Sequence, residues 1–378
     1  MSDHRKVNSS NQGNFNGAHS LAEILSQPEF WGRCVEALNR EGSLERTRKP
    51  FHSASEWLFV GCGSSYYIAL AAAASWSRIT GMRARAIAAS ELLLFPEIVL
   101  AGSYDVAAVV ISRSGQTSEA VRAAQLLERE KDIRVLAVTG TPDQPLEKTA
   151  TATLPLLPCE EQSTVMTRSF TSMLLGLQYL AACVAADSAL LKSYGQVPEL
   201  AQLALDRMHF QVRDFVGSRQ FADYVSLGQG PFYGLACETA LKVTEMSVSY
   251  GQSFHTLEFR HGPKSIVGPE TLIIFLLSEQ GYEAECEVLQ EIKGLGGTTL
   301  TVTNRADERA RSSSDLLIEL DFDVPELARL TSYIFAGQLT GLYTGLKKNL
   351  DPDNPRNLSR VVMIDEATSA EQPEPAKS

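Results

Sequence analysis

The chain has 378 residues, 44% of them hydrophobic and 21% charged, with a formal net charge of −11. That balance is ordinary for a globular protein long enough for two domains, and it disfavours nonspecific attraction to nucleic acid or to an anionic membrane. The six cysteines form no CxxC pair and suit reduced thiols, the six histidines show no HxxxH or Cys/His clustering, the polar start MSDHRKVNSSNQGNFNGAHS reads as no signal peptide, and no apolar run has the ~18 residues of a membrane span. A cytoplasmic protein without metal or organic cofactor is the expectation.

In chain order, residues 1–19 are Asn/Ser/Gly-rich and read as mobile, as does the tail 367–378. Leu21 to Arg40 has the periodicity of an amphipathic helix. A strand is expected over Trp57–Val60, then a turn Gly61-Cys62-Gly63 and an alanine-rich helix Tyr66–Thr80. Ala86–Ala88 reads as a short strand before a helical region around Glu91. Val106–Ile111 is the next buried strand; it runs into the loop SRSGQT and a helix Glu119–Lys131. Strands at Arg134–Thr139 and Thr153–Leu157 and a helix Arg168–Ala186 follow. Strands alternating with helices predict an α/β fold with a parallel sheet covered on both faces.

The pattern then restarts, with a strand Tyr224–Leu227, the turn Gly228-Gln229-Gly230 and a helix Tyr233–Tyr250. Gly61 and Gly228 lie 167 residues apart (228 − 61), as do Tyr66 and Tyr233, and Glu91 and Glu258. Leu272–Leu277 answers the strand before SRSGQT, and Thr299–Val302 the strand after it. Three landmarks on one offset predict a duplication into two doubly wound domains, 20–200 and 201–366. At equivalent strand ends the first half carries SRSGQT and the second SEQGYE, so hydroxyls give way to carboxylates.

A loop between a parallel strand and the next helix presents unpaired N–H groups and a positive dipole end, which favour an anion. Ser112, Ser114 and Thr117 add neutral donors, and Gly115 lets a ligand approach the backbone. The competing reading is a plain N-cap, which needs only one hydroxyl. The turn Gly61-Cys62-Gly63-Ser64-Ser65 makes a weak dinucleotide fingerprint, because Tyr66 stands where the third glycine would be, and no GK[ST] of a P-loop follows. In ETALKVTEM, Glu238, Lys242 and Glu245 fall on one helix face. Their alternative is a salt-bridged solvent face, but Ala236, Ala240, Leu241 and Val243 beside them predict a helix packed on much of its surface. His261, in FRHGPKS, is a group able to titrate near neutrality.

GCGSS, SRSGQT, TRSFT, ETALKVTE, FRHGPKS and DPDNPRNLSR together resemble the sugar isomerase (SIS) domain family, over about Leu21 to Arg360. The chain looks like the isomerase half of glucosamine-6-phosphate synthase, and still more like the AgaS-like ketose/aldose isomerases and amino-sugar-phosphate deaminases. The resemblance implies two flavodoxin-like SIS domains, each a parallel sheet flanked by helices. It implies a phosphorylated sugar bound through Ser65, Ser112, Ser114 and Thr117, with Arg113 beside them and Thr167 and Arg360 as further substrate-binding residues. It implies Glu245 as the carboxylate that moves a proton between C1 and C2, Lys242 as its support, and His261 as the ring-opening histidine reaching in from a partner subunit of a homodimer or larger assembly with shared sites. Arg360 stands where the synthase has a Schiff-base lysine, and a guanidinium is not an amine nucleophile. The implied activity is conversion of galactosamine or glucosamine 6-phosphate to the ketose 6-phosphate plus ammonia, or plain aldose/ketose exchange. A fructosamine-6-phosphate deglycase and a non-catalytic sugar-phosphate sensor are the alternatives.

Overall fold

Glu56–Gly61 and Thr271–Leu276 are buried at every residue, as strands of parallel sheets covered on both faces must be. The structure, a computed structural model, describes residues 16–364 except 41, 103, 104, 157 and 158. Most of the N-terminal segment expected to be mobile, and all of the 367–378 tail, lie outside the described residues.

The chain opens with helices α1 (Ala18–Leu25) and α2 (Gln27–Leu38). The first half then runs β1 (Glu56–Gly61), α3 (Ser64–Thr80), β2 (Arg83–Ala88), β3 (Val106–Ile111), α4 (Ser118–Gln125), β4 (Arg134–Thr139), β5 (Ala152–Pro155) and α5 (Arg168–Val184). A long helix, α6 (Ser188–Gly217), leads to β6 (Asp223–Gly228), α7 (Pro231–Ser247), β7 (Gly251–His255), β8 (Thr271–Leu276), α8 (Tyr282–Gly294), β9 (Thr298–Thr303), β10 (Leu316–Glu319) and α9 (Phe335–Lys347). The first sheet has the order β2-β1-β3-β4-β5 and the second β7-β6-β8-β9-β10, with every pairing parallel. This is the doubly wound order in which ligands sit beyond the carboxyl ends of the strands.

The repeat is kept in the backbone. β1 and β6 span 6 residues each and α3 and α7 span 17 each, at the same 167-residue displacement. Gly63 (φ 53°, ψ −127°) and Gly230 (φ 55°, ψ −127°) share one conformation that side chains rarely adopt. A Cβ on Gly61 or Gly228 would lie 2.5 Å from the carbonyl oxygen of Ser65 or Phe232. Both G-x-G turns are therefore required for a helix to fold back tightly on its strand, with no dinucleotide needed to explain them.

The two sheets share one core. α3 crosses α7 so closely that a Cβ on Gly234 would sit 2.6 Å from the Tyr67 carbonyl oxygen, and these two positions are 167 residues apart. A single buried cluster runs from Ile24 through Phe170 and Phe232 to Leu342, while separate clusters cover the outer face of each sheet.

Three sequence readings are corrected. The opening helix begins at Ala18, inside the segment read as mobile, because the Asp353 carboxylate accepts from the His19 and Ser20 amides (3.0 and 2.7 Å). Leu21–Arg40 is two helices that join at Ser26. The domain boundary at 200/201 falls inside continuous α6. Nor do α1 and α2 belong to the first half alone: Trp31 stacks on Phe335 (5.3 Å between centroids), and Gln27 Nε2 donates to Gln338 Oε1 at 2.7 Å.

Candidate active site

A cleft of about 190 Å³ opens where the N-termini of α3 and α4 meet. Its lining includes Gly63, Ser64 and Ser65 from the first turn, Ser112 to Ser114 and Thr117 from the SRSGQT loop, Glu245 from α7, and Ser359, Arg360 and Val362 from the C-terminal segment. The volume suits one compact metabolite, below the ~300–1,000 Å³ of drug-sized sites.

The loop is built around Gly115, at φ +66°, where a Cβ would stand 2.6 Å from Gln144 Cβ. The Gly115 amide donates to Ser112 Oγ (3.2 Å) and the Gln116 amide to Ser114 Oγ (3.2 Å). Thr117 occupies the N-cap position of α4 but forms no side-chain cap; its Oγ1 accepts a long contact from Ser112 Oγ at 3.4 Å. The Ser118 amide instead donates to the Val362 carbonyl (3.2 Å), so the C-terminal segment lies across the loop. Two helix N-termini and their hydroxyls thus converge on one small cleft, a cradle for an anion.

Facing this cradle is a buried charge chain on α7. Lys242 and Glu238 are fully buried and 3.1 Å apart, and Lys242 Nζ also pairs with the partly exposed Glu245 carboxylate. Ser64 Oγ joins the two halves, donating to Glu238 Oε1 at 3.1 Å and accepting from Lys242 Nζ at 3.3 Å. Burial pushes the Glu238 carboxyl up to about 7 against the pull of the Lys242 ammonium. For Lys242 burial acts against the charge, but the flanking carboxylates outweigh it and raise the amine above its ordinary value. Of this trio, Glu238 is the carboxyl that burial disposes to keep its proton, and Glu245 pairs with the ammonium at the edge of the cleft. Burial also raises the Cys62 thiol to about 12, which removes it as a thiolate nucleophile.

The SIS domain pattern matches residues 51–183 and 224–340, two segments that together make up well over half the chain. The chain belongs to the SIS domain family. Among its relatives, the isomerizing glutamine–fructose-6-phosphate aminotransferase of Pyrobaculum aerophilum is 26% identical over 359 residues. That alignment takes in 91% of this chain and 57% of the relative, so the SIS chain spans less than two thirds of the curated relatives it matches. The crystal structure of glucosamine-6-phosphate deaminase from Thermotoga maritima superposes with a TM-score of 0.76 at 27% identity, covering 92% of this chain and all of that one. Tagatose-6-phosphate ketose/aldose isomerase from Escherichia coli gives a TM-score of 0.78 over 92% of this chain and 96% of its own, and at 21% identity that likeness is one of fold.

In this SIS protein Ser65, Ser112, Ser114, Thr117, Arg360 and Glu245 line the one cleft, and Lys242 stands directly behind Glu245. Arg113 touches the cleft, but its guanidinium is committed elsewhere: it donates to Glu161 Oε2 (3.2 Å) and to the Thr164 and Val165 carbonyls (2.7 and 3.1 Å). Thr167 does not line the cleft; it is fully buried and gives its amide and hydroxyl to Glu161 Oε1 at 2.7 and 2.8 Å. His261 is exposed on the loop after β7 and is not part of this chain's cleft. Arg360 donates to the Glu161 main-chain carbonyl.

Sequence reasoning missed Glu161 altogether. This buried carboxylate ties TRSFT to SRSGQT by accepting from Arg113, Thr167 and Ser169. Its partners lie 6, 8 and 48 residues away, so no periodicity exposes it. The motif DPDNPRNLSR is likewise structural in part: Asp351 and Asp353 hold the start of α1, and the Asp353 carbonyl accepts from the Thr164 amide at 3.0 Å.

Proposed function

We propose that the protein is a sugar-phosphate isomerase or deaminase that acts on a hexosamine 6-phosphate, giving the ketose 6-phosphate and ammonia. The observation that carries this reading is the sharing of one cleft by the hydroxyl loop of the first half and the Glu245 carboxylate of the second. The enzyme role is further supported by the sugar-phosphate activities of the aminotransferases and the Thermotoga maritima deaminase that the chain is similar to.

In this reading the phosphate sits on the α3 and α4 N-termini among Ser65, Ser112, Ser114 and Thr117. With Arg113 turned to Glu161, neutral hydroxyls and amides do most of the holding. The open-chain aldose places C1 and C2 toward Glu245, which removes the C2 proton and returns it to C1. The resulting imine at C2 takes up water and releases ammonia, so one water is consumed for each ammonia formed. Lys242 pairs with the Glu245 carboxylate and orients it toward the cleft. His261 assists ring opening in the cleft of a second copy of the chain, in a homodimer or larger assembly.

A panel of hexosamine and hexose 6-phosphates, followed by ammonia and ketose detection, tests the substrate. Release of glucose 6-phosphate from fructosyl amino acid phosphates without ammonia from hexosamine phosphates would replace this reading with a deglycase. The sharing of sites is tested by mixing Glu245→Gln with His261→Asn after gentle unfolding and refolding. Recovery of a fraction of wild-type activity is expected from hybrid assemblies, and no recovery would place each site within one chain.

A further inference from the structure

One residue behind the cleft holds both of its arginines. Glu161 is buried and does not itself line the cleft. Its carboxylate accepts from Arg113 Nη1 at 3.2 Å, and its main-chain carbonyl accepts from Arg360. The same carboxylate accepts from the Thr167 amide and hydroxyl (2.7 and 2.8 Å), the Ser169 amide (3.0 Å) and the Ser169 hydroxyl. So many donors leave it one position and one orientation.

Arg113 stands between this carboxylate and the cleft. Its side chain is only 8% exposed, and it donates to the carbonyl of Thr164, a residue of the cleft lining, at 2.7 Å. Glu23 accepts from the Gln162 and Ser163 amides of the same segment (2.5 and 3.1 Å), and burial together with the Glu161 charge raises its carboxyl above the ordinary value. The charge that balances the guanidinium is therefore that of Glu161. A buried pair that cancels sends little field into the cleft, whereas either partner alone would act on a bound anion through a wall of low dielectric.

We propose that Glu161 is a positioning residue that sets the anion affinity of the cleft. By holding and neutralising the Arg113 guanidinium it leaves the phosphate to the hydroxyls and helix N-termini, so that a phosphorylated product can leave. The inference rests on the reading that the cleft holds a phosphate.

Titration of the full chain with inorganic phosphate, followed by phosphorus NMR, tests it without turnover. Wild type is expected to bind saturably, and Ser112→Ala with Thr117→Ala to weaken that binding, which places the ion in the cleft. Glu161→Gln leaves Arg113 without its counter-charge and should tighten phosphate at least fivefold. Arg113→Gln leaves the carboxylate alone and should weaken it at least fivefold, and the double variant should return to within twofold of wild type. A residue that merely supported the fold would weaken binding when replaced, so the direction of the Glu161→Gln effect decides. Where that variant does not fold, the double variant, which buries no unpaired charge, carries the test. Weaker binding in Glu161→Gln, unchanged binding in either single variant, or a double variant as weak as Arg113→Gln overturns the inference and leaves the phosphate cleft standing. Absence of phosphate binding by wild type would instead remove the phosphate cleft, and this inference with it.

Discussion

The two halves carry the same loop geometry and opposite chemistry. In the first, the Gly115 amide donates to Ser112 Oγ at 3.2 Å; in the second, the Gly281 amide donates to Ser278 Oγ at 2.9 Å. The first cradle is open to the cleft. The second is filled by the chain itself: Glu285 accepts from the Ser278 amide and hydroxyl at 2.7 and 2.8 Å, and Glu326 accepts from the Glu279 amide at 2.5 Å. The helix that faces each cradle is inverted too. Glu245 on α7 faces the first, and Arg78 on α3, 167 residues earlier, reaches the second, donating to Gln280 (3.3 Å) and pairing with Glu326 (3.0 Å). Duplication copied a strand–loop–helix cradle twice, and its side chains decided which copy stayed open. The closed copy became a clamp between the halves, with its donors satisfied by carboxylates in place of a ligand.

This contrast can be broken most sharply at Glu245. Glu245→Gln is expected to lower kcat by about 10²-fold or more with the sugar phosphate still bound, because a general base contributes on that scale and the cradle is untouched. Full activity in that variant, measured as ammonia or ketose release, would detach the second half from the proton transfer.

A smaller effect separates the two cradles. Ser112→Ala with Thr117→Ala should raise KM by roughly tenfold or more, since hydrogen bonds to a charged phosphate contribute about 1.5–3 kcal/mol each. Ser278→Ala, at the corresponding place in the filled cradle, should leave KM unchanged and lower thermal stability. Equal KM effects of the two would mean that both halves bind substrate.

The smallest effect is on pH dependence. Burial raises the Glu285 carboxyl from its ordinary 4.5 to about 7. Between these values the folded chain binds more protons at Glu285 than the unfolded chain, so this residue's contribution to stability falls as pH rises through the window and is fully present below it. Glu285→Gln should flatten the decline in Tm between about pH 4.5 and 7, read by calorimetry across that range. An unchanged slope would mean that Glu285 does not retain its proton inside the cradle.

Much of this was legible in the sequence. Alternating apolar runs and helical stretches specified the parallel α/β layout, and Gly61/Gly228 with Tyr66/Tyr233 disclosed the duplication, because tight strand–helix turns tolerate few residues. The hydroxyls of SRSGQT mark the loop that lines the cleft, and the spacing of Glu238, Lys242 and Glu245 places them on one helix face. Only the tertiary structure decided that this face is buried, that it crosses to the opposite half, and that Glu245 opens into the first half's cleft. It alone turned the Arg113 guanidinium and the Thr167 hydroxyl to Glu161, moved α1 and α2 onto α9, and closed the second cradle with Glu285. Local patterns record what each segment needs from its immediate neighbours along the chain. The partner of a buried charge is chosen by packing between segments far apart in sequence, and no local period records it.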